Sequence, residues 1–260
     1  MNKTMLNKKL RICAMSDLHG TLPFANNYNL EQSDITIICG DTVPLDYQRS
    51  DELTEDWFAN EFREWVIQFP TKYIILIAGN HDFWMFKHDK EYVQRKFQEW
   101  FMGKVIYLED EMYEYKGIKI YGCPWCTGPY NWAFSPGNKP YRPVALIDKY
   151  YEQIPDCDIL ITHQPPKIGD IGKSFYWTTY AKDWGSEELR LAVKDKKIGL
   201  LLCGHVHSGQ HARTVYPTQG CDTIFYNVSM LNEDYQPMYD PRYLEINYES
   251  KEISESSINS

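Results

Sequence analysis

No stretch of this 260-residue sequence approaches the roughly 18 consecutive apolar residues that a membrane-spanning helix needs, so a membrane protein is not expected. Positive charge is also short. Lys and Arg total 27 against 36 Asp and Glu, for a formal charge of −9, and no Lys/Arg-rich stripe occurs. Such a chain exerts no general attraction on a polyphosphate backbone, which argues against long nucleic acid as a partner. The seven cysteines are odd in number and scattered from Cys13 to Cys221, unlike a disulfide framework. Leu10–Met15 is too short for the apolar core of a secretory signal and runs straight into "SDLHG". Free thiols in a reducing, cytoplasmic setting are the expectation. No second Cys-x-x-Cys accompanies "CPWC" at Cys123–Cys126, and Thr-Gly-Pro follows where a redox motif would open a helix. Packing is therefore its expected role.

Apolar residues make up 43% of the chain and aromatics 15%, enough for a large α/β core. Short runs rich in Ile, Val and Tyr predict strands at Leu10–Met15, Ile35–Cys39, Tyr73–Ala78, Val105–Leu108, Ile118–Tyr121, Ile159–Thr162, Ile198–Cys203, Ile224–Val228 and Tyr243–Ile246. Between them, apolar positions recur at three- to five-residue steps over Glu52–Phe69, closed by Pro70, and over Tyr92–Phe101. Pro143–Gln153 and Ser186–Lys194 are weaker helix candidates. Alternating strands and helices imply an α/β sheet core. Gly122–Arg142 reads as a long aromatic loop, with Tyr130, Asn131 and Arg142 as candidate substrate contacts.

Polar signatures sit just past five of those strands. Asp17 and His19 follow the first, Asp41 the second, and Asn80, His81 and Asp82 the third. His163 follows "DILIT", and His205 and His207 follow "IGLLLC". Singly, each is an ordinary turn. Jointly, they place carboxylates, imidazoles and an amide at the carboxyl ends of strands, where open α/β sheets form their ligand crevice. Asp17 and His19 are two apart, as are His205 and His207, so each pair shares a face of extended chain with Cα atoms roughly 6.5–7 Å apart. Such mixed nitrogen and oxygen donors suit Mn, Fe or Zn rather than a thiolate site. Cys13, Cys39 and Cys203 are expected to be small buried side chains. His211 is read as a surface group or one behind the ligands, and His88 as solvated.

The ordered series D-x-H, GD, GNHD, H, GH-x-H, from Asp17 to His207, resembles the calcineurin-like metallophosphoesterase superfamily. "YGCPWCTGPYNWAF" and "ITHQPP" resemble its metallophosphoesterase-domain-containing branch, which is similar to class III phosphodiesterases. The resemblance implies two packed mixed β-sheets flanked by helices, one such domain over residues 1–248, and a polar tail over 249–260. It implies two divalent transition-metal ions, manganese favoured. One would be held by Asp17, His19, Asp41 and His207, the other by Asp41, Asn80, His163 and His205. It also implies attack by a hydroxide held between the metals on a small phosphorylated substrate. His81 would serve as acid or charge stabiliser, with Asp82 orienting it. The chain departs from protein Ser/Thr phosphatases after Gly40–Asp41, and Gln164 stands where family members often have Gly. A non-catalytic metal-binding scaffold and a nuclease are the alternatives, and the oligomeric state is left open.

Overall fold

The structure is a computed structural model that describes residues 9–24, 28–128, 131–135, 146–174 and 182–256. In chain order the elements begin with β1 (Lys9–Met15), β2 (Ser33–Ile38) and α1 (Asp51–Trp57). A π-helical turn (Phe58–Phe62) joins α1 to α2 (Arg63–Gln68). Then come β3 (Thr71–Leu76), α3 (Phe83–Lys87), α4 (Lys90–Phe101), β4 (Val105–Tyr107), β5 (Glu111–Tyr115) and β6 (Ile118–Cys123). They are followed by α5 (Ile147–Tyr151), β7 (Cys157–Thr162), β8 (Lys173–Ser174), β9 (Lys182–Asp183) and α6 (Glu187–Lys194). The chain continues through β10 (Ile198–Cys203), β11 (Thr214–Thr218), β12 (Cys221–Asn227), β13 (Arg242–Asn247) and β14 (Ile253–Glu255).

The principal strands form two six-stranded mixed sheets, ordered β14-β13-β1-β2-β3-β4 and β11-β12-β10-β7-β6-β5. In the first sheet β1 to β4 run parallel and β13 and β14 pair antiparallel; in the second, β12, β10, β7 and β6 run parallel and the edge strands β11 and β5 are antiparallel. The two-residue period of a strand sends alternate side chains to opposite faces. Ile12, Ala14, Ile35, Ile37, Ile75 and Ile77 of the first sheet share one core with Ile120, Ile159, Ile161, Leu200 and Leu202 of the second. The alternate residues, such as Cys13, Met15, Ile74, Leu76, Leu160 and Leu201, face outward to the helices. Burial on both faces explains why these strands read as continuous apolar runs.

Ser50 caps α1 by accepting from the Leu53 N–H at 3.3 Å, and Asp89 caps α4 through the Tyr92 N–H at 2.8 Å. The Glu52–Phe69 periodicity thus marks one helical stretch, interrupted only by the π turn. Its aromatic face meets that of α4, with Phe58 and Phe97 ring centres 5.2 Å apart and Phe62 and Phe101 5.4 Å. Edge-to-face pairs of this kind favour a helical layer built of rings, which takes up much of the aromatic content.

Two expectations need correction. Residues 249–260 are not simply a polar tail, because Ile253–Glu255 pairs with β13 through Leu244, Glu245 and Ile246. The Pro143–Gln153 helix is seen only as the short α5; its first three residues, and the candidate contacts Tyr130 and Arg142, lie outside the described residues. Cys123 and Cys126 are buried free thiols, pushed well above their ordinary range by burial. Between them Trp125 donates to Asp110 Oδ2 at 2.6 Å and stacks on Tyr150. The segment packs and presents no ready thiolate. Among the described residues, no helix is long and apolar enough to cross a membrane.

Candidate metal centre

Each predicted metal ligand, with His81 and Asp82, lies just beyond a strand's carboxyl end: β1, β2 and β3 in the first sheet, β7 and β10 in the second. The loops are tied to one another at the shared edge. Asp17 N–H donates to Gly40 O, His19 N–H to Asp41 O, and Gly20 N–H to Thr42 O, each at 3.0 Å. Gly204 N–H donates to His163 O at 2.8 Å. Asp17, His19, Asp41 and His205 all take left-handed backbone conformations, with φ of 56°, 42°, 52° and 68°. Non-glycine residues pay for that geometry, and such strain gathers at functional sites. Two glycines make room for the carboxylates. A Cβ on Gly79 would lie 2.2 Å from Asp41 Oδ1, and one on Gly204 would lie 2.2 Å from Asp17 Oδ2.

The side chains converge. Asp41 Oδ2 lies 3.2 Å from His163 Nε2, 3.7 Å from His19 Nε2 and 4.0 Å from His81 Nε2. Asp17 Oδ1 lies 3.4 Å from His207 Nε2. Asn80 Oδ1 lies 3.1 Å from His163 Nε2 and 2.8 Å from His205 Nδ1. Ligand atoms of Asp17, His19 and His207 fall within 4.8 Å of one another, as do those of Asp17, Asp41 and His163. The remote ring nitrogens are held by carbonyls: His163 Nδ1 donates to Cys39 O and His207 Nδ1 to Asn232 O, both at 2.8 Å. That orients both rings and leaves each Nε2 facing the centre. His163 Nε2 therefore meets two oxygen acceptors, an arrangement that a proton or a metal ion on that nitrogen satisfies. Both ring nitrogens of buried His19 have no hydrogen-bond partner. The donor set and this orphaned imidazole fit bound metal.

His81 and Asp82 have separate tasks. His81 Nδ1 lies 2.8 Å from Gln48 Oε1, and its backbone N–H donates to Asp41 Oδ1 at 2.8 Å. Asp82 does not orient His81, contrary to expectation. Its carboxylate is occupied by backbone donors: Gly79 and Asp41 N–H at 2.7 and 2.8 Å, Thr42 and Val43 N–H both at 3.1 Å. Asp82 thus stitches the loop after β2 to the loop after β3, and Gln48 holds the histidine.

A match to the family model for calcineurin-like phosphoesterases spans residues 10–209 of the 260. This chain belongs to the calcineurin-like phosphoesterase family. Among curated relatives, human metallophosphoesterase domain-containing protein 1 is 29% identical over 257 residues, covering 91% of this chain and 71% of that protein. A UPF0046 protein of Caenorhabditis elegans is 27% identical over 261 residues, covering 95% of this chain and 84% of its own length. Purple acid phosphatase from yellow lupin seeds aligns with a TM-score of 0.47 at 14% identity, over 95% of this chain and 53% of that one. Membership in the calcineurin-like phosphoesterase family supports a metal-dependent phosphoesterase and implies divalent metal ions, for which the pocket just described offers candidate ligand groups.

Electrostatics divides the family's histidines. Burial works against protonating His163 and His207, but the Asp41 charge on the first and the Asp17 hydrogen bond on the second outweigh it, raising both to about 9. Burial lowers His19 and His205 to about 3, so both stay neutral. Burial also opposes ionisation of Asp17 and Asp41, yet the surrounding imidazoles hold both carboxyls below their usual range. Burial, and then the Asp41 charge, push Asp82 up to about 7 against the pull of its N–H donors.

Several contributors in this calcineurin-like phosphoesterase carried no sequence signal. Gln48 is a lone polar residue in a loop. Ser229 Oγ donates to Asp17 Oδ2 at 2.7 Å. Tyr235, itself at a φ of 58°, sets its ring 5.0 Å from that of His19 and 5.3 Å from that of His207. Gln164, where Gly is common, is buried and bridges two loops. Its Oε1 accepts from Thr127 N–H at 2.7 Å, and its Nε2 donates to Trp184 O at 2.8 Å. His211 is no ligand candidate here: its Nε2 lies 2.9 Å from the His207 carbonyl, and its ring stacks on Tyr239. His88 stacks on Tyr92, with Nε2 buried, so it is not the solvated residue expected.

Proposed function

We propose that the chain is a phosphodiesterase acting on a small organic phosphodiester through a dinuclear metal site, manganese favoured. Asp17, His19, Asp41 and His207 would hold one ion, and Asp41, Asn80, His163 and His205 the other, with Asp41 shared. The observation that carries this reading is His19. Its imidazole is buried, kept neutral, and without a hydrogen-bond partner at either nitrogen, while Asp41 Oδ2 stands 3.7 Å away. Among the described residues this is the one imidazole buried with both nitrogens unpaired, and a Lewis acid would complete it. Bound divalent ions supply polarisation of a phosphoryl group and activation of water at neutral pH.

The chain's own residues supply the rest. Gln48 fixes the His81 ring so that Nε2 faces the pocket; burial lowers the ring's hold on a proton against the pull of the Asp41 charge, so the imidazolium, once formed, gives its proton readily to the departing ester oxygen. Asp82 holds the two loops that carry Asp41, Asn80 and His81. The small-substrate reading rests on the formal charge of −9, which offers little to a long polyanion. Purified protein should hydrolyse bis-p-nitrophenyl phosphate when Mn²⁺ is added and stop when it is chelated. Turnover confined to single-stranded oligonucleotides would make it a nuclease. Metal uptake with no turnover on any phosphate ester would make it a scaffold.

A further inference from the structure

We propose that the cavity beside Asn80 and His205 is a slot for a flat aromatic ester group of the substrate, with Trp132 and Trp184 as its walls. The inference rests on the phosphodiesterase reading and adds a substrate class to it. Both indoles line one cavity of about 330 Å³ whose lining also includes Asn80 and His205, so an occupant is continuous with the metal centre. That volume suits one small ring system. Among the described residues, the lining has no Lys, Arg, Asp or Glu, and an uncharged group fits it. The His81 ring lies 4.5 Å from Trp132, so an ester group departing on the His81 side lies against that indole.

Both walls are built in advance. The Arg49 guanidinium sits 4.0 Å over Phe83 and 5.5 Å from Trp132, and donates to the Asn131 carbonyl at 3.4 Å. Next in the chain, Ala133 N–H donates to the carbonyl of Asn80 at 3.1 Å, which fastens the Trp132 loop to a candidate ligand. Trp184 is 39% exposed, so part of its indole is open to an occupant of the cavity. The Lys182 ammonium lies 3.5 Å from its ring centre and does not line the cavity. Gln164 ties Thr127, which also lines the cavity, to the Trp184 backbone, which holds two parts of the lining together. Rigid indoles favour flat π-systems over saturated rings of equal size.

The test compares non-hydrolysable phosphonates as competitive inhibitors of the Mn²⁺-loaded full chain. Phenylphosphonate should bind about tenfold more tightly than cyclohexylphosphonate, which matches its size but is not flat. Trp132→Leu and Trp184→Leu should each remove most of that preference while leaving methylphosphonate affinity unchanged. Gln164→Gly, which keeps both indoles but unties these parts of the lining, should reduce it too. Equal affinity for the two ring compounds in the unmodified protein, or a preference that survives in both Trp variants, overturns the slot alone. Failure of every phosphonate, methylphosphonate included, to bind the metal-loaded chain overturns the phosphodiesterase reading and the slot with it.

Discussion

His163 Nε2 lies 3.2 Å from Asp41 Oδ2 while its Nδ1 is fixed 2.8 Å from the carbonyl of Cys39. The two residues come from different sheets, so this contact joins the sheets at their common edge. It also sets a ring nitrogen against a carboxylate, a position that a proton fills in the metal-free protein and that a metal ion would take in its place.

Protons and metal compete for that position. His163 and His207, both raised to about 9, hold protons at neutral pH in the metal-free protein, and the metal must displace them. Mn²⁺ affinity should therefore rise by about tenfold or more per pH unit from pH 6 to 8, with the gain ending near pH 9. Calorimetry in buffers of different ionisation enthalpy should count the released protons. An affinity flat across that range would refute the assignment.

Asp82 is predicted to matter for stability before chemistry. Asp82→Ala leaves buried N–H groups at Gly79, Asp41, Thr42 and Val43 without their acceptor. The expected loss is about 3 kcal/mol or more in urea unfolding. A loss below about 1 kcal/mol would mean the loops hold without it.

Gly204→Ala places a methyl group 2.2 Å from Asp17 Oδ2 and 2.1 Å from Ser16 Oγ. The carboxylate must move, so bound metal should fall by about one equivalent per chain while circular dichroism is retained. Undiminished metal content would show that Asp17 is not a ligand.

His81→Ala should lower kcat by about a hundredfold or more and keep full metal content. Gln48→Leu removes only the bond that aims His81 and should cost about three- to tenfold in kcat with KM little changed. Both losses should shrink with p-nitrophenolate as leaving group relative to an alkoxide, since a good leaving group needs little protonation. Equal losses for both leaving groups would deny His81 its role as acid.

Much of this was legible in the sequence, for physical reasons. The nine anticipated strands all form; eight of them have a parallel neighbour and most are buried on both faces, which makes them continuous apolar runs, while β13 is antiparallel to both its neighbours. The ligand positions were legible because each directly follows such a run. Of the strands that escaped notice, β8 and β9 are two residues each, and β5, β11 and β14 are sheet edges with exposed or partly exposed residues such as Glu111, Glu114, Val215 and Ser254. Helix α3 is five residues long, too short for a helical period to show, and Phe83 to Phe86 are all buried. Gln48 and Gln164 were illegible as partners because a side-chain amide in a loop reveals nothing of what the fold brings to it. Asp82 was seen, but its partners are backbone groups, which no side-chain motif records.

The account depends most on two ions gathered by ligands from both sheets. An anomalous-difference map at the manganese edge, from crystals grown with Mn²⁺, tests this most directly. Two peaks are predicted, one among Asp17, His19 and His207, the other among Asn80, His163 and His205, with Asp41 touching both. One peak, or none at these side chains, would contradict it.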